Sequence, residues 1–189
     1  MAERGFARVG RSSFSLGAIV SNSSSRAAYR TTVLFRLLDS AGAVIFAFDE
    51  RTLPMVLPGA RLPAGVAIDL PPDRVVPVAG VSVELGGTHW VDVEPDNRLF
   101  RRYDTLAEAS DGGQLRLPAD MGSQPCAGLS ASAAALVYRD ASGSVVGGEE
   151  VAYTGSYCAG SHFGDVLNAL YVPLEADRAR TLIAVYCDT

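Results

Sequence analysis

Residue types able to do chemistry are few in this chain, and their spacing is poorly matched to any reaction. Of the three cysteines, Cys126 falls in a polar turn and Cys158 in a loop. The strand order argued below brings that turn and loop to the same end of a sandwich, which predicts a Cys126–Cys158 disulfide. Closing about 30 residues, such a bridge stabilises by roughly 3–4 kcal/mol and favours an oxidising compartment. Cys187 aligns with an apolar core position and is expected to be a buried free thiol acting as a small apolar side chain. The stretch "CAGSH" (158–162), with Cys126 and Cys187, has donor types suited to zinc. Structural zinc sites, however, carry short-spaced ligand pairs in both halves, and here only one half does. His162 is therefore read as a loop residue.

Nucleophilic catalysis has little to draw on. Only His89 and His162 are present, and "GLSAS" (128–132) lacks both the final glycine and the following helix of a nucleophile elbow. No Gly-rich phosphate loop joins a strand to a helix. The acid pairs Asp49–Glu50 and Glu149–Glu150 invite a glycosidase or calcium reading. Neighbours on a strand point to opposite faces, so these acids are expected to be solvated strand-end residues. No catalytic residue, cofactor-binding residue or metal ligand is assigned, and a non-enzymatic role is expected. "NSS" (22–24) has the form of a glycosylation acceptor and is read as a turn. Trp90, the only tryptophan, lies near His89 and Phe100. Burial at the junction of two repeats is expected for it, with an exposed contact patch as the other reading.

The elements that position these residues follow from composition and periodicity. The 189 residues are 48% hydrophobic and 20% charged, which is ordinary for a folded chain. All 16 basic residues are arginine, read as the codon bias of a GC-rich, bacterial genome. A net charge of −5 and the scattered arginines, apart from "RLFRR" (98–102), give no electrostatic footprint for nucleic acid. No apolar run reaches the roughly 18–20 residues needed to span a bilayer. The charged "MAER" start lacks a signal-peptide layout, so the protein is either cytoplasmic or without its export leader here, and the start is read as trimmed.

Apolar alternation of period two recurs along most of the chain, and helical spacing is almost absent. Two DxxG turns, Asp39 to Gly42 and Asp140 to Gly143, set an offset of 101 that also carries Phe14 onto Leu115 and Leu16 onto Leu117. In the first copy, strands are expected at 5–9, 13–20, 27–38, 43–50, 63–70 and 81–85, with "LPMVLPGA" as a loop. The second copy repeats them at 113–119, 131–139, 144–154, 165–172 and 181–187. At an offset of 102, Ile183, Val185 and Cys187 fall on Val81, Val83 and Leu85. The intervening 86–105 reads as a packed linker, or a linker plus a strand. One apolar face per strand predicts an all-β protein of two tandem immunoglobulin-like antiparallel β-sandwiches, residues 1–95 and 96–189. A single larger barrel is the alternative.

Phe35, Leu37 and Asp39 in "FRLLDSAG" carry a resemblance. The stretch "GAIVSNSSSRAAYRTTVLFRLLDSAGAVI", followed by "LPGA", resembles the FxLYD-type bacterial Ig-like domains, with Leu38 standing where the tyrosine would be. It covers about the first 70 residues. The second copy keeps the rhythm through Leu136, Tyr138 and Asp140, with Arg139 at the tyrosine position. The resemblance implies an extracytoplasmic protein, secreted or tethered as an envelope lipoprotein, with no common catalytic residues. A protein-binding or scaffolding module with an unidentified protein partner is therefore expected, its loops or an edge strand making the contact. A self-assembling homo-oligomeric subunit, and a small-molecule binder at the junction near Trp90, are the alternatives.

Overall fold

The computed structural model describes residues 3–48, 51–71, 77–92, 105–106, 108–109, 115–116, 131–152 and 166–187. The Cys126, Cys158, His162, Phe100 and Asp49–Glu50 expectations lie outside these residues. Among the described residues there is no helix, so none long and apolar enough to cross a membrane. The protein is all-β. The first half contains β1 (Glu3–Arg8), β2 (Ser13–Ser21), β3 (Ala27–Leu38), β4 (Val44–Ala47), β5 (Arg51–Val56), β6 (Arg61–Asp69), β7 (Gly80–Gly86) and β8 (His89–Val91). The second contains β9 (Thr105–Leu106), β10 (Glu108–Ala109), β11 (Leu115–Arg116), β12 (Ala131–Arg139), β13 (Val145–Ala152), β14 (Val166–Leu167) and β15 (Asp177–Cys187).

Every described strand pair is antiparallel and falls within one half. Sheet I is ordered β1-β2-β6, and sheet II is built on β3, with β4 and β5 along one edge and β7 and β8 along the other. Sheet III is ordered β13-β12-β15-β9 and sheet IV β10-β11-β14. The pairing of β1, β2 and β6 thus recurs in β10, β11 and β14. That of β4, β3 and β7 recurs in β13, β12 and β15.

The two DxxG turns are built alike. Asp39 N–H donates to Ala43 O at 3.0 Å, and Asp140 N–H to Ser144 O at 3.0 Å. In each, the aspartate Oδ1 accepts the N–H four residues on, Ala43 at 2.8 Å and Ser144 at 2.9 Å. Gly42 and Gly143 take φ of 81° and 88°, a region that side chains with a Cβ disfavour. A β-bulge precedes each turn, at Leu37/Leu38 and at Tyr138/Arg139.

Phe14, Leu16, Phe35, Leu37, Leu53 and Val66 fill the core between sheets I and II. A second core joins sheets III and IV through Leu115, Leu136, Tyr138, Leu167 and Ile183. The alternation of half-buried strands holds along most of β3 but fails along β2, β6 and β12, which are buried over consecutive residues. β2 is buried from Phe14 to Val20, and these strands correct the expectation of one apolar face per strand. The second face of β2 meets sheet III. Gly5, Gly17 and Gly65 stand opposite one another across β1, β2 and β6 and form a row. A Cβ on Gly5 would overlap Val145 O, one on Gly17 would overlap Gly147 O, and one on Gly65 would overlap Leu136 O and the backbone of Glu149. The β13 backbone therefore runs across the three strands of sheet I in the channel this row leaves, close enough that only glycine fits. Ser15, fully buried on that face, donates from Oγ to Gly148 O at 3.0 Å and accepts Gly148 N–H at 2.9 Å.

Other expectations also shift. "LPMV" is part of β5 rather than a loop, pairing with β3 on either side of Pro54. Within 166–172 only Val166–Leu167 is strand, because Ala169 N–H turns back to Leu167 O at 3.0 Å and the Leu170 and Tyr171 amides bond to the Glu149 side chain rather than a ladder. In β15, Leu136 pairs with Ile183 as Phe35 pairs with Val83. Ile183 and Val185 thus take the places of Val83 and Leu85, two residues away from the expected register. The bulged register of β12 on β15 absorbs the shift, and a two-residue slip keeps each side chain on its face.

Candidate functional site

Several described residues break the ordinary pattern of buried apolar and exposed polar groups, Leu170 and Leu174 among them, and at two places the break comes with a built geometry. One is Glu149 on β13, with 3% of its surface exposed. It corrects the expectation of a solvated strand-end acid. Facing the same side as Leu136 in the sheet III–IV core, its carboxylate accepts the phenol of Tyr138, the N–H of Tyr171 at 3.1 Å and the N–H of Leu170 at 3.1 Å. A buried charge persists when several donors satisfy it, and here the donors are one buried phenol and two backbone amides. Burial first, and the adjoining carboxylate second, hold the Tyr138 phenol well above the usual tyrosine range. The arrangement clamps 168–176 onto sheet III. Tyr171 then reaches across to the first half, where its hydroxyl donates to Asp69 Oδ2 at 2.7 Å. Ser13 Oγ donates to the other oxygen at 2.5 Å, and these bonds, Ser13 foremost, lower the Asp69 pKa.

The second place is the outer edge of sheet II at β8. His89, Trp90 and Val91 are all exposed, and Trp90 keeps 45% of its surface in solvent. This corrects the expected burial at the junction. Trp90 caps an edge strand, and among the described residues β8 pairs only with β3. Arg26 secures the strand end, donating from Nη2 to Trp90 O at 2.7 Å and from Nε to Asp92 Oδ1 at 2.8 Å. That ion pair is largely solvated and contributes at most about 1 kcal/mol.

Arg30, next to this strand, is the sole positive-φ non-glycine residue among those described, at φ 50°. Sequence neighbours explain why the chain turns there. Arg30 falls between the pairs Tyr29–Met55 and Thr31–Leu53, opposite Pro54, which has no N–H to give. On the other edge the ladder breaks between Gly86 and His89, around Gly87 at φ 62°. Both neighbours lose register at one level, and β3 takes up the kink at Arg30. Such a backbone conformation costs of order 1–2 kcal/mol. It lays the guanidinium over the Tyr29 ring, 5.7 Å from its centroid. Tyr29 stands directly opposite His89, so an arginine, an aromatic ring and an imidazole share one face beside the open edge. The sequence reading singled out His89 and Trp90 but not Arg30. Pro54 in an otherwise strand-like run was the available signal.

Asn22 of the glycosylation-like "NSS" is buried. Its Nδ2 donates to Arg26 O at 2.7 Å and to Val56 O at 2.8 Å, and its Oδ1 accepts Ser24 N–H at 2.9 Å. It ties the polar turn to the end of β5. Cys187 ends β15 opposite Ala131. Among the described residues no three His, Cys, Asp or Glu side chains gather to hold a metal. The chain matches no protein-family model, curated protein or solved structure.

Proposed function

We propose that this protein is a non-enzymatic binding module, two immunoglobulin-like sandwiches of the FxLYD type joined face to face, that works outside the cytoplasm and engages another protein through the β8 edge. The recurrent strand pairing and the twin DxxG turns support the tandem reading. The exposed His89-Trp90-Val91 edge carries the functional one. An edge strand offers unpaired backbone groups to an incoming strand, and natural proteins usually blunt such edges with charge or cover. Here an aromatic and a branched apolar side chain stand exposed instead. Exposed tryptophan at a rim of unpaired backbone is the composition of a protein contact.

A photoreactive amino acid at position 91, with the protein expressed in its source organism, tests the proposal against one at Val44, which is 55% exposed on β4. An adduct with a different protein from position 91 and not from position 44 is expected. Adducts solely between copies of this chain favour the self-assembling subunit, and equal labelling from both positions sinks the β8 assignment.

A further inference from the structure

We infer that the β8 edge takes an extended segment of a partner protein by strand addition, and that Arg30, beside Tyr29 and His89, reads an acidic side chain on that segment. The inference rests on the proposal that β8 is the binding edge and adds the chemistry of what binds there.

Among the described residues β8 pairs only with β3, and the β7 end of the same edge is guarded. At the start of β7 the Val81 carbonyl is taken by Arg4 Nε at 3.1 Å, so a strand adding to sheet II on this side finds its free stretch toward β8. Strand addition supplies affinity through the backbone, and neighbouring side chains supply selectivity. The selecting group here is cationic. Arg26, Arg36, Arg61, Arg139 and Arg180 each hold a carboxylate. Arg30 is exposed and pairs with no carboxylate among the described residues, although its backbone is strained to hold it over Tyr29. Guanidinium stacked on an aromatic ring keeps its planar fork free for a carboxylate, and His89 lies on the same face. In a chain of net charge −5, a cation beside the β8 edge with no carboxylate partner among the described residues favours an acidic ligand. A second copy is the poorer occupant, because among the described residues the carboxylate its own β8 edge would bring is Asp92, which Arg26 already holds.

The test uses the whole protein and a phage-displayed library of random decapeptides. Enriched peptides are synthesised with the selected residue as Glu or as Gln, and binding is followed through the emission of Trp90, the single tryptophan. Enrichment of an acidic residue at a constant position is expected, with Trp90 emission shifting on binding. Affinity should fall about tenfold for the Gln peptide, and about tenfold for the Glu peptide on Arg30→Gly, the two losses not adding. Glycine suits the backbone at φ 50°, so this variant folds. Peptides that shift Trp90 but carry no preferred acid, and bind Arg30→Gly as well as the native protein, overturn the acidic reading and leave the β8 edge standing. Peptides that bind without moving Trp90, or no enrichment at all, overturn both.

Discussion

The channel between sheets I and III and the edge at β8 are opposite uses of the same β-structure. In the channel, Gly5, Gly17 and Gly65 let the β13 backbone lie against sheet I, and Ser15 answers both backbone groups of Gly148. A rim of polar contacts surrounds it: Glu3 pairs with Arg139 at 2.6 Å, and Tyr171 bonds Asp69. At β8 the side chains are large, aromatic and exposed, and the backbone beside them is bent out of its favoured range. The difference teaches that burial by itself does not make a contact surface. Small residues and satisfied backbone close one, whereas large residues on an unpaired edge leave one open.

Substitutions at the two places should separate them sharply. Gly17→Val has the largest expected effect. Its side chain meets backbone on a packed face with no flexible group to displace, so a loss of at least about 3 kcal/mol in urea unfolding is expected. A loss under 1 kcal/mol would mean the halves part readily. Next comes Tyr138→Phe, which withdraws a donor from the buried Glu149 carboxylate and should cost about 1.5–3 kcal/mol.

The same substitution sharpens the pH dependence. Because the folded phenol holds its proton to higher pH than the unfolded chain does, the unfolded state deprotonates first as pH rises past 10, the ordinary value. The stabilisation is complete below that pH and declines above it, with a slope near 1.4 kcal/mol per pH unit for one proton. Tyr138→Phe should remove that contribution, leaving a shallower alkaline limb in denaturation series from about pH 9 to 11. Asp69 and Asp140 act at the other end. Hydrogen bonds, chiefly from Ser13 and Ser142 respectively, lower both pKa values below 3.8. Their contribution is present above that value and is lost as pH falls through the lowered one. Asp69→Asn and Asp140→Asn should each flatten the acid limb slightly, read from thermal midpoints between about pH 2 and 5.

The smallest change belongs to the open edge. Arg30→Gly relieves the backbone but frees the unfolded chain, so stability should rise by no more than about 1 kcal/mol. A clear drop in the melting temperature would show that Arg30 holds the sheet together rather than facing a partner.

Much of the local architecture was legible beforehand. The DxxG turns, the long strand through Phe35 and Leu37, and the face shared by Val66, Ile68 and Leu70 follow from turn chemistry and period two. The misreadings have a common origin. "LPMV" read as a loop because of its proline, yet Pro54 sits where β3 itself kinks. Glu149 read as surface because its three donors come from Tyr138 and from residues about twenty positions downstream. Trp90 read as buried because aromatic residues between repeats usually are, and only the position of β8 at an edge exposes it.

The order of residues was sufficient for strand period and turn type, since each depends on neighbours a few positions apart. Which face of β2 would meet β13, that three glycines spaced 12 and 48 residues apart would line up across three strands, and that Arg30 would stand beside His89 were decided by tertiary structure. Those outcomes depend on pairing register between distant segments, which no local preference encodes.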